Sequence, residues 1–150
     1  MTISKLIGVE SEHVKRKLEL FAQELKKRGF RITVQRLTVA AIVLSKIKDH
    51  PSFMEILEEA RKHVPGVSAS TVYNTLQLLE KLGLIASFSV YGETHYDQPH
   101  KHVNIVCLDT NKIYDLENGD EVIGVLEKKG LSVKNMVVYA NCGEKASGPG

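Results

Sequence analysis

The eight residues HYDQPHKH, His95 to His102, hold three imidazoles and one carboxylate in a 150-residue chain that has six histidines in all. Imidazole nitrogen and carboxylate oxygen are donors that Zn(II), Fe(II) and Mn(II) all accept. His100 and His102 are two apart, so on an extended strand both rings leave the same face, and His95 and Asp97 repeat that spacing just before them. One reading is a metal site. The other is a set of solvated surface histidines, because H-x-H alone is a weak motif. A complete coordination shell needs donors from elsewhere in the chain. His50, beside Pro51 where two helical segments meet, and Asp115, in the alternating stretch KIYDLE, are the candidates. His13 and His63 have charged helical neighbours and read as surface.

A second group could recognise nucleic acid. SASTVYNTLQLLEKLGLI has a capping residue, Ser68, an apolar stripe at Val72, Leu76, Leu79 and Leu82, and a stop at Gly83. Its other face carries Tyr73, Asn74 and Gln77, which can address base edges in a major groove, and Ser70, Thr71 and Lys81, which can address phosphate. The competing reading is the wet face of an ordinary amphipathic helix. Flanking Arg28, Arg31, Gln35 and Arg36 favour DNA.

The elements that must position these residues are legible from periodicity. Val14, Leu18, Phe21 and Leu25 mark one face of a helix ending near Gly29. Thr33 precedes the helical run VQRLTVAAIVLSKIK. Ser52 caps FMEILEEARKHV, with Glu55 as capping-box partner. The reading helix comes next, and IASFSVYGETHYD then alternates and turns at Gly92, as a hairpin does. Helix, helix, helix, hairpin is the order of a winged helix-turn-helix. Beyond Pro99, HVNIVCLD and KIYDLE read as strands, DEVIGVLEKKG as a helix and LSVKNMVVYANC as a third strand. The expected fold is α+β: an N-terminal winged helix-turn-helix over 1–93, then a small α/β dimerisation domain over 94–150 with a flexible tail, EKASGPG. An exposed sheet edge in the second part is a surface for pairing two copies.

Bulk composition sets limits. Hydrophobic residues make up 43% and charged residues 25%, with mean hydropathy −0.13, so a folded core is expected. No apolar run reaches the ~20 residues that span a bilayer, and the first twenty residues lack a signal-peptide core. A cytoplasmic, membrane-free protein is expected. A net charge of +2 does not by itself indicate nucleic acid, but fourteen of the twenty Lys and Arg precede Gly83. A DNA surface therefore belongs to the first half.

RGFRITVQR, HPSFMEI, SASTVYNTLQLLEKLGLI, HYDQPHKHVNIVC and KIYDLE, in that order over nearly the whole chain, resemble the ferric uptake regulator family of metal-dependent repressors. The resemblance implies a homodimer that binds a palindromic double-stranded DNA operator and is not an enzyme. It also implies one divalent metal per chain, Fe(II) or Mn(II), with Zn(II) a further occupant in vitro. Carried onto matching positions, the ligands in the peroxide-responsive branch are His50, Asp97, His100, His102 and Asp115. Asp at 97 and 115, and TVYN rather than TVYR, point to that branch. There the resemblance implies that peroxide oxidises a ligand histidine, His50 or His100, and releases the metal.

The chain departs from the family in its cysteines. Thr110 and Lys145 stand where the second halves of two C-x-x-C pairs would be, so no four-cysteine structural zinc is expected. Cys107 and Cys142 read as two small buried side chains, ahead of a disulfide in a cytoplasmic protein. Three other readings stay open: an iron or zinc concentration sensor without redox chemistry, a non-haem iron enzyme using two His and one carboxylate, and a metal-free winged-helix binder.

Overall fold

The computed structural model describes residues 11–143, so the tail expected over 144–150 lies outside the described residues. The chain divides into two compact units, Met1–Pro99 and His100–Gly150. This division falls several residues after the expected 93/94 boundary. The reason is pairing: the strand Glu93–Asp97 is the second arm of a hairpin and is held by its partner, Ala86–Val90.

The first unit contains helices α1 (Glu12–Lys27), α2 (Val34–Lys46), α3 (Phe53–His63) and α4 (Ala69–Lys81), then strands β1 (Ala86–Val90) and β2 (Glu93–Asp97). Each helix begins on a side chain that accepts an otherwise unpaired backbone N–H: Ser11, Thr33, Ser52 and Ser68. At α3 the capping box is reciprocal, with Ser52 Oγ accepting from Glu55 N–H and Glu55 Oε1 from Ser52 N–H. The expected stripe of α1, Val14, Leu18, Phe21 and Leu25, is buried. It packs in one core with Leu37 and Val43 of α2, Ile56 of α3 and Val72, Leu76 and Leu79 of α4. Each such burial contributes about 1.5–3 kcal/mol. A short 3-10 turn, Ile47–Asp49, ends α2 and delivers His50.

The second unit contains β3 (Val103–Cys107), β4 (Ile113–Asp115), α5 (Gly119–Glu127) and β5 (Met136–Ala140), in sheet order β4-β3-β5. β3 is antiparallel to β4 and parallel to β5. A parallel neighbour requires a crossover, which α5 supplies. All five residues of central β3 are buried, whereas β5 is half-covered. α5 starts close against β3: a Cβ at Gly119 would lie 3.2 Å from Val103 Cγ2.

The cysteines correct an expectation. Cys107 and Cys142 form a disulfide across a sequence separation of 35, with Cα atoms 5.4 Å apart, and are not two separate buried thiols. Parallel register sets Cys107 opposite Ala140, so the chain leaving β5 passes beside it. Asp109 also accepts N–H bonds from Cys142 at 3.0 Å and Gly143 at 2.9 Å. These bonds hold its carboxyl below the usual range.

Candidate metal centre and nucleic-acid interface

His50 sits in the left-handed region, φ 50°, as the cap of the 3-10 turn, a conformation His tolerates better than most residues. Its ring is 4% exposed and meets the Phe88 ring edge-on at 6.0 Å. His50 Nε2 lies 3.5 Å from Oδ1 of Asp97, which is 3% exposed at the end of β2. The Gln98 N–H donates to that same Oδ1 at 2.8 Å. His95 contributes differently from the sequence reading. It stacks on Phe88 and its Nδ1 meets the His50 carbonyl at 2.8 Å, so it positions His50. The H-x-D spacing placed His95 near a site but did not reveal that role.

In the second unit, His102 Nδ1 lies 2.7 Å from the His100 carbonyl and Nε2 lies 3.5 Å from Asp115 Oδ1. Donation from Nδ1–H to a carbonyl leaves the Nε2 lone pair free to bind a Lewis acid, the tautomer a metal-ligating histidine needs. The His100 imidazole is exposed, with its centroid 5.0 Å from that of His102.

Each of His50, Asp97, His102 and Asp115 offers a nitrogen or carboxylate oxygen. The donor chemistry fits a divalent cation. Two donors, each about 2.1 Å from one ion, lie roughly 3.0–3.4 Å apart at right-angled to tetrahedral geometry. The 3.5 Å His–Asp separation in each pair is close to that spacing and long for a direct hydrogen bond.

On α4, Ser70, Tyr73, Asn74 and Gln77 are exposed and Thr71 is half-buried. Three are already engaged: Gln77 Nε2 donates to the Tyr73 hydroxyl at 2.6 Å, and Thr71 Oγ1 accepts from Ser68 Oγ at 2.9 Å. Arg36 donates to the Arg31 carbonyl and sits 5.8 Å over the Phe30 ring. Arg31 itself is exposed. A cleft of about 540 Å³ joins Phe30 and Arg36 to Asn74, Gln77 and Lys81 of α4.

Tyr96 lies behind α4, buried, and its pKa is pushed up to about 12 by burial and then by Glu80 and Tyr73. The folded state favours the protonated phenol, so its contribution is complete below pH 10 and lost as pH rises toward 12. Tyr96→Phe is expected to flatten the fall in urea-unfolding stability across that window.

A sequence profile of the Ferric uptake regulator family matches residues 27–140. The chain belongs to this family. Its members are metal-dependent regulators of transcription and not enzymes. A ferric uptake regulation protein homolog of Archaeoglobus fulgidus is 34% identical over 121 residues, which cover 78% of this chain and 91% of the archaeal protein. The peroxide-responsive repressor PerR of Staphylococcus aureus is 30% identical over 114 residues, 74% of this chain and 76% of that protein. The ferric uptake regulator Fur of Helicobacter pylori, whose structure revealed three functional metal-binding sites, superimposes with a TM-score of 0.74. It is 25% identical, and the match covers 94% of this chain and 97% of that one. The N-terminal helix-turn-helix and C-terminal α/β arrangement is thus that of the family. Among the described residues, no helix of this family member is long and apolar enough to cross a membrane.

Proposed function

We propose that this protein is a cytoplasmic, dimeric, peroxide-responsive repressor that binds a palindromic operator when loaded with Fe(II) or Mn(II). The observation that carries the reading is the pair of preorganised His–carboxylate sets, His50 with Asp97 in the first unit and His102 with Asp115 in the second. With His100, these would be the three His and two Asp that ligate one ion per chain.

The ion, when bound, supplies a shared Lewis-acid centre. The chain's own residues do the rest. His95 and Gln98 hold His50 and Asp97 in place. The His100 carbonyl sets the tautomer of His102. A ligand set drawn from both units favours one relation between them over others, and only such differential affinity shifts a conformational equilibrium. Operator half-sites lie about one DNA turn apart, ~34 Å, so the relation between two α4 helices decides whether both can engage. Ser70, Thr71, Tyr73, Asn74 and Gln77, with Arg31 and Arg36, would contact the duplex.

The resemblance to the staphylococcal repressor and the aspartates at 97 and 115 support peroxide sensing. The higher identity to the archaeal homolog favours a second reading, a metal-level sensor. Operator binding of Mn(II)- and Fe(II)-loaded protein before and after peroxide separates them. The Fe(II) form is expected to lose binding and gain oxygen on a ligand histidine by mass spectrometry, while the Mn(II) form keeps both unchanged. Equal retention by the two forms would leave the metal-level sensor.

A further inference from the structure

We infer that Tyr91, at the tip of the β1–β2 hairpin, contacts DNA and lays its ring against the deoxyribose edge of the operator beside each half-site. This rests on the DNA-reading function proposed above.

Val90 pairs with Glu93, so Tyr91 and Gly92 form a two-residue loop, and their φ angles are +51° and +78°. Positive φ at both positions is the type I′ pattern, which suits Asn-Gly or Asp-Gly. An aromatic residue at the first position crowds its Cβ against the following carbonyl, so the turn itself disfavours Tyr. The core gives no reason for it either, since Tyr91 is 77% exposed, more than any other exposed large hydrophobic among the described residues. Backbone strain under an exposed aromatic points to use outside the folded chain.

The surroundings say what that use is. Tyr91 lines a cleft of about 400 Å³ with Phe53, Met54 and Tyr73. Tyr73 belongs to the exposed face of α4, so the hairpin tip continues the reading surface. Among the described residues, the cleft lining holds one carboxylate, Glu93, and no Lys or Arg. Phosphate is therefore disfavoured there, while the apolar faces of sugars and thymine methyls suit the aromatic walls. Arg36 and Lys81 line the separate cleft at Phe30, where phosphate is favoured.

The test uses the full-length, Mn(II)-loaded protein and a palindromic duplex that the wild type enriches from a random pool. Tyr91→Asn relieves the turn, so its melting temperature should rise by about 2–5 °C. Its operator affinity should fall about tenfold, in the range of lost aromatic contacts. Hydroxyl-radical protection of sugars at one edge of each half-site should disappear, whereas Tyr91→Phe keeps affinity and footprint. Wild-type affinity and footprint in Tyr91→Asn, or a lowered melting temperature, overturns the inference. If Tyr73→Ala loses binding while Tyr91→Asn does not, only the hairpin assignment falls. Failure of the wild type to enrich any duplex removes the DNA-reading proposal and this one together.

Discussion

His102→Ala is expected to abolish metal-dependent operator binding while leaving the circular dichroism of the protein unchanged. His102 is the donor whose geometry is most fully prepared, with Nδ1 committed to the His100 carbonyl and Nε2 turned to Asp115. Removing an outer partner of a metal ligand already costs about 10–100-fold in affinity, so losing the ligand itself should cost more than about 100-fold. The side chain lies at the rim of a small sheet and outside the apolar core of its unit, so truncation creates no large cavity there. Mn(II) titrations of operator binding at fixed salt provide the measurement, because phosphate contacts make any affinity salt-dependent. His63→Ala is the control. His63 is exposed on α3, 3.5 Å from Glu59, and its loss should leave the titration unmoved. A His102→Ala protein that titrates like the wild type would remove the metal centre and leave the metal-free reading.

Reduction of the Cys107–Cys142 bond is expected to lower unfolding stability by about 2–4 kcal/mol, from the loop entropy released over a separation of 35 residues. The loss should fall toward the lower end. Asp109 still accepts from Cys142 and Gly143, so the reduced chain stays pinned near Cys107. Below the depressed pKa of Asp109 that second hold is also lost, so the effect of reductant should grow as the solution is acidified. Urea melts with and without reductant measure it. Cys142→Ser should match the reduced wild type and ignore reductant, and identical midpoints in all samples would show that the bond contributes no stability. The disulfide ties the end of β5 to the end of β3.

Helices were the legible part of this fold because a helix records its packing locally. Val14, Leu18, Phe21 and Leu25 name the buried face of α1 by spacing alone, and Ser52 with Glu55 announces α3 three residues into it. The hairpin was legible for the same reason, since Gly92 and alternation sit within a dozen residues. A division at 93/94 cuts through that hairpin, whereas Glu93–Asp97 is hydrogen-bonded to β1 and the first unit runs on to Pro99.

The sequence by itself determined the inventory: which residues form helices, which face of α4 is polar, and that candidate metal donors cluster at His95 to His102 with His50 and Asp115 apart from them. Tertiary structure decided the partnerships. It set His95 on the carbonyl of His50 across 45 residues, brought His50 to Asp97, and closed Cys107 on Cys142 through a parallel strand pairing. Periodicity reports how a segment buries its own surface, with neighbours three, four or two residues away. Strand register and long loop closures are settled by the shared core, whose energy is spread over many distant contacts and leaves no mark in any one stretch of sequence.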